Sequence, residues 1–165
     1  MSIVLIGAPG AGKTSVGVEL ANRLSMAFVD VDTRIEQVVG KPVAEIFTDE
    51  GEEHFRGLEE SASLELLGSG GVIALGGGAV VNPTIRQALA GHDVIWLEVS
   101  APVAARRVGL NTARPLLLGN IRARLIEQLR ERTPFYQELA GTRVDTDGRS
   151  IDDIAAELAS TRMVT

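Results

Sequence analysis

Residues 7–14 read Gly7-Ala8-Pro9-Gly10-Ala11-Gly12-Lys13-Thr14, which is G-x-x-x-x-G-K-[ST] without a mismatch. Ile3-Val4-Leu5-Ile6 before it is a short apolar run of the kind a buried parallel strand needs. After it, Val16, Leu20, Ala21 and Leu24 recur at helical spacing. A glycine-rich turn between a strand and a helix is the setting of a phosphate-binding loop. Glycines let successive N–H groups face one anion, and the helix N-terminus adds partial positive charge. Gly10, Ala11, Gly12, Lys13, Thr14 and Ser15 are therefore the expected nucleotide contacts. Lys13 is placed to reach the β- and γ-phosphates, and the Thr14 hydroxyl to ligate Mg²⁺.

Four more strand-like runs follow: 27–29, 71–75, 93–97 and 142–144. Helical stretches separate them. Alternating strands and helices predict a three-layer α/β/α sandwich around a five-stranded parallel sheet, with functional turns beyond the strands' carboxyl ends. At 165 residues the chain has the length of a single domain. Residues 43–67 are too many for one connection and predict two helices broken near Gly51. Stretches of about 32–67 and about 110–120 are expected to form a substrate-binding subdomain and a mobile lid. The last helix is expected from Ser150 to Ala159, with Ser150 as its cap.

A net charge of −6 disfavours a nucleic-acid surface, and no apolar run is long enough to cross a bilayer. Cysteine is absent, so no disulfide framework or thiolate metal site is expected. These features point to a soluble cytoplasmic protein, expected to be a monomer. Between Arg106 and Arg132, seven arginines face only two glutamates. Arg122, Arg124 and Arg130 read as helix-surface charge.

The second strand ends in Asp30-Val31-Asp32, two carboxylates two apart that would share one side of an extended chain. Asp30 is the candidate Mg²⁺ ligand, through water, and Asp32 the candidate base for an acceptor hydroxyl. The competing reading makes Asp32 the cap of a helix starting at Thr33. Gly76-Gly77-Gly78 closes the third strand and would bring a ligand against bare main chain rather than serve packing. Arg56, among acids, reads first as a salt bridge to Glu52, Glu59 or Glu60. His54, His92 and Trp96 read as structural. Arg132 precedes Thr133-Pro134, where helix is disfavoured, so a break is expected there.

Taken together these motifs resemble the shikimate kinase family over nearly the whole chain. The P-loop, the D-x-D, Phe55-Arg56-Gly57-Leu58-Glu59, the triple glycine, Arg114-Pro115-Leu116 and the R-x-P-x-Y run from Arg132 to Tyr136 appear in order. The resemblance implies a P-loop, nucleoside-monophosphate-kinase-like fold and ATP-dependent phosphorylation of the 3-hydroxyl of shikimate. It implies Asp32 on that hydroxyl, Arg56 and Arg132 on the substrate carboxylate, and Gly76, Gly77 and Gly78 in its pocket. Arg114 would lie over the phosphates, with Arg107 on the adenine and the turn at Arg149 closing the other side of the base. Two rivals stand beside this reading. One is another small-molecule P-loop kinase, for a sugar acid or a nucleotide. The other is an ATP-binding regulator without catalysis.

Overall fold

The computed structural model describes residues 1–109 and 118–163, the side chains of Leu118 and Gly119 excepted. Five strands form one parallel sheet: β1 (Ser2–Ile6), β2 (Phe28–Asp30), β3 (Gly71–Ala74), β4 (Asp93–Glu98) and β5 (Thr142–Asp145). Their order across the sheet is β2-β3-β1-β4-β5. The most apolar strand, β1, lies at the centre, where both faces are covered: Val4 and Leu5 have no exposed surface. Its pairing sets Leu5 opposite Ala74 on one side and Ile95 on the other. The chain crosses from one side of β1 to the other here, so the crevice beyond β1 and β3 is the natural ligand site.

Helices α1 (Lys13–Leu24), α6 (Ala101–Gly109), α7 (Leu118–Leu139) and α8 (Ile151–Ser160) are joined to the sheet by short loops or turns. One core cluster holds Leu5, Val16, Leu20, Ile95, Leu97, Ile154 and Leu158; α1 and α8 pack together over it. Gly17 permits close seating of α1, because a Cβ there would meet the Phe28 ring at 2.3 Å. The other cluster, around Val4, Ile6, Ile73, Leu75, Trp96 and Tyr136, lies under α2 (Val31–Val39), α3 (Val43–Glu50), α4 (Glu52–Leu67) and α5 (Pro83–Ala88). The predicted pair of helices broken near Gly51 is α3 and α4, and Gly51 adopts φ 88 at the junction.

Ser150 caps α8 as predicted, its side chain accepting from Asp153 N–H. Two local expectations fail. The chain turns helical at Val31, one residue after β2, so Asp30 and Asp32 are not an extended pair. Asp30, not Asp32, is the cap, accepting from Thr33 N–H at 3.1 Å. And α7 runs unbroken through Pro134. The proline leaves the exposed side of the helix without an N–H, while the preceding turn carries Arg132 and the next Tyr136 into the protein, 8% and 0% exposed. Burial of these two side chains outweighs the local preference of a pre-proline residue. Helix α7 begins at Leu118, inside the stretch of about 110–120 expected as a lid.

Candidate active site

The loop after β1 turns through Gly10 (φ 82) and Gly12 (φ 90), left-handed conformations that favour glycine, and α1 starts at once with Lys13. Lys13 folds back over its own loop: Nζ donates to the Gly7 carbonyl at 2.7 Å and the Ala8 carbonyl at 3.0 Å. Loss of water around the ammonium pulls its pKa down to about 8, against the attraction of Asp32 and Asp30. The Thr14 hydroxyl donates to Asp30 Oδ2 at 2.7 Å. The predicted metal pair, Thr14 and Asp30, is therefore in direct contact.

Asp32, in the first turn of α2, turns its carboxylate toward the end of β3. Its Oδ1 is buried without a hydrogen-bond partner. Burial is the main force raising its pKa to about 6; the negative charges of Asp30 and Glu59 add to it, and Lys13 opposes.

The glycines after β3 do serve packing, contrary to expectation. A Cβ on Gly76 would lie 2.6 Å from Glu59 Oε2 and 3.0 Å from Asp32 Oδ1. One on Gly77 would meet Pro9 of the P-loop at 2.8 Å, and one on Gly78 would meet both terminal nitrogens of Arg56 at 2.7 Å. Three residues without side chains let the acid, the P-loop and the arginine converge on one stretch of backbone.

Arg56 is held from below by the buried stripe of α4. Phe55, Glu59, Ser63, Leu66 and Leu67 share that face, and Glu59 is only 1% exposed. Arg56 Nη1 donates to Glu59 Oε1 at 2.8 Å, Nη2 approaches Glu52 at 3.5 Å, and the guanidinium lies near the Phe47 and Phe55 rings. The predicted ion pairs with Glu52 and Glu59 form; the one with Glu60 does not, Glu60 instead accepting from Asn82 at 2.6 Å. Arg132 comes from α7, and its Nε is buried with no partner.

Arg56, Arg132, Asp32, Glu59, the three glycines and Pro9 line one cleft of about 280 Å³. A neighbouring cleft of about 270 Å³ holds Gly10, Gly12, Lys13, Thr14, Ser15 and Asp30, and shares Pro9, Asp32, Gly76 and Gly77 with the first. Asp32 thus belongs to both. Arg124 and Gln128 also line the first cleft, although Arg124 reads as surface charge in the sequence. Their spacing with Arg132, four and four on one helix, is the signal that could have found them.

Arg107 donates to the Gly10 carbonyl at 3.0 Å and reaches the Thr146 side chain and carbonyl, tying the P-loop to the turn after β5. Arg149 pairs with Glu157 on α8. Arg114 lies outside the described residues. His92 Nδ1 accepts from Ser2 N–H, and Trp96 is core, as predicted. Among the described residues no helix is long and apolar enough to cross a membrane.

The sequence model of the Shikimate kinase family matches residues 9–162. A shikimate kinase of Thermobifida fusca (strain YX) is 56% identical over 156 residues, which is 94% of this chain and 90% of the relative. One from Salinispora arenicola (strain CNS-205) is 50% identical over 95% of both. The solved shikimate kinase from Acinetobacter baumannii, in complex with shikimate, superposes with a TM-score of 0.90 at 33% identity, covering 99% of this chain and 93% of that one. A gluconokinase from Sinorhizobium meliloti 1021, with a TM-score of 0.58 and 20% identity, shares the fold alone.

Proposed function

The chain belongs to the shikimate kinase family, and from that premise we propose how its residues carry the reaction. It is an ATP-dependent phosphotransferase, moving the γ-phosphoryl group of ATP to shikimate on the route to aromatic amino acids. The observation that best supports the assignment of roles is Asp32. Its carboxylate has a buried, unpartnered oxygen on the boundary between the P-loop cleft and the cleft lined by two arginines. An orphaned acceptor there suits a substrate hydroxyl, which would supply the missing hydrogen bond.

In this reading Arg56 and Arg132 hold the substrate carboxylate. A guanidinium offers parallel N–H groups to a carboxylate, and the buried Nε of Arg132 has no protein partner. The ring then points its 3-hydroxyl at Asp32. Asp32 accepts the hydroxyl proton as the oxygen bonds to the γ-phosphorus and the bond to the β-phosphate bridging oxygen breaks, releasing ADP. A carboxylate held at about 6 is ionised at neutral pH yet more basic than a free one, as a general base should be. Lys13 leaves its loop carbonyls for the phosphates, whose developing charge it neutralises. Gly10 to Ser15 cradle the phosphates with their N–H groups. Arg114 is assigned to the same phosphates by the family's motif alone, while Arg107 and Arg149 flank the adenine.

Mg²⁺ fits the oxygens of Thr14 and Asp30, a hydroxyl and a carboxylate already in contact. Among the described residues no group of three or more acidic or imidazole side chains forms a metal cage. That suits an ion held chiefly by phosphates and water. When bound it would neutralise phosphate charge. A single domain with a substrate subdomain at about 32–67 and a lid at about 110–120, acting as a cytoplasmic monomer, completes the proposal.

The deciding experiment is a coupled ADP-release assay with shikimate, gluconate and AMP as separate acceptors, with and without Mg²⁺. Turnover with shikimate alone, dependent on Mg²⁺, is expected. Turnover with gluconate or AMP but not shikimate would overturn the reading.

A further inference from the structure

Tyr136 plays no part in the chemistry above, yet it is the largest side chain with no exposed surface. Its ring stacks on Trp96, with centroids 5.7 Å apart. Its hydroxyl crosses 59 residues of sequence to donate to the Gly77 carbonyl at 2.7 Å. Burial pushes its pKa up to about 12, with Arg132 pulling the other way, so it stays a neutral donor at any pH the enzyme meets.

Gly77 is the glycine at which the P-loop and α7 meet. The space over its α-carbon is taken by Pro9 of the P-loop at 2.8 Å and by Nη1 of Arg132 at 3.3 Å. Tyr136 and Arg132 are one helical turn apart on α7. One turn of helix thus delivers both a cation to the cleft and a clamp on the cleft's backbone. A peptide unit is planar and trans, so fixing the Gly77 carbonyl on the Tyr136 side turns the Gly78 N–H to the opposite side. Among the described residues the N–H groups of Gly77 and Gly78 donate to no protein acceptor. Glycine pairs hold no orientation of their own, since both φ and ψ are loosely restrained. Something else must aim them.

We infer that Tyr136 is a positioning residue for the acceptor substrate: through its hydroxyl it fixes the Gly77–Gly78 peptide so that this backbone edge and Arg132 present one preformed surface to the anionic ring. The inference rests on the shikimate reading above. It concerns only how the acceptor cleft is held, not where ATP binds.

Tyr136→Phe tests it, because the ring and its stacking on Trp96 are kept and only the hydroxyl is lost. The lost hydrogen bond should raise the shikimate KM by about three- to tenfold. The KM for ATP should stay within about twofold of the parent. The rise should be the same for a shikimate analogue with a neutral group in place of the carboxylate, since the hydroxyl acts through the peptide and not through the charge. An unchanged shikimate KM, or an equal rise in both KM values, would make Tyr136 a core residue only and overturn the inference. Should the variant not fold, hydrogen exchange on the unaltered protein decides instead. The Gly77 and Gly78 amides should exchange freely alone and slow at least tenfold with saturating shikimate, and no protection would overturn it. An unaltered protein that fails to phosphorylate shikimate would instead count against the functional reading itself.

Discussion

Arg56 lies flat on Gly78: both its terminal nitrogens come within 2.7 Å of where a Cβ on that residue would stand. Gly78 has φ −96, a conformation any residue adopts, so no backbone strain explains the glycine. What it provides is room. Gly78→Ala should therefore fold normally and displace the guanidinium. We expect the shikimate KM to rise by roughly a decade, the cost of weakening one charge-assisted hydrogen bond, with the KM for ATP little changed. Steady-state kinetics checks this, and a variant with native KM would show that Arg56 can move without loss.

Arg56→Ala and Arg132→Ala should each raise the shikimate KM by roughly one to two decades. Arg56→Lys should recover only part, since an ammonium cannot form the fork and would lose the guanidinium's place over the Phe47 and Phe55 rings. Toward a neutral analogue of the substrate the Ala variants should differ little from the parent. Equal impairment on both substrates would mean that these arginines hold the site together rather than bind the carboxylate.

Asp32→Asn should trade activity for stability. Turnover should fall by roughly 10²–10⁴-fold, because the amide cannot take the proton. Stability should move the other way. The carboxyl's pKa in the folded protein, about 6, lies above its ordinary 3.8. The folded state therefore binds this proton more tightly, and stability is lost as pH rises from about 4 through 6. At pH 7.5 the parent carries a penalty on the order of 1–3 kcal/mol that Asn lacks, a gain of roughly 2–10 °C in Tm for a chain of this size. Below pH 4 the difference should vanish. Thermal unfolding at the two pH values checks both halves.

The same two groups set the pH range of catalysis. Asp32 must be ionised, so kcat/KM should climb through about pH 6; Lys13 must be charged, so it should decline beyond about pH 8. Lys13→Ala should cost on the order of 10²–10³ in rate and abolish the alkaline limb. A flat profile between pH 5 and 9 in the parent would exclude both assignments.

The short-range features were legible in the chain itself. The P-loop, the five strands, the Ser150 cap and the helix break at Gly51 each depend on a handful of consecutive residues, whose backbone preferences and apolar periods act locally. The motifs identified the family for the same reason: each is a compact run of letters. The local reading failed where a buried face outvoted a local preference. Pro134 did not break α7, because Arg132 and Tyr136 on either side of it are carried inward. Asp30 took the cap from Asp32 because the chain turned helical two residues early. The purpose of Gly76 to Gly78 was hidden as well. Their bare backbone makes room for Asp32, Glu59, Pro9 and Arg56, which come from three other stretches of the chain. No sequence window contains those contacts. The bond from Tyr136 to Gly77, the orphaned oxygen of Asp32 and the shift of its pKa arise only when α2, α4, α7 and the end of β3 close on one another, since burial and long-range charge are properties of the packed molecule.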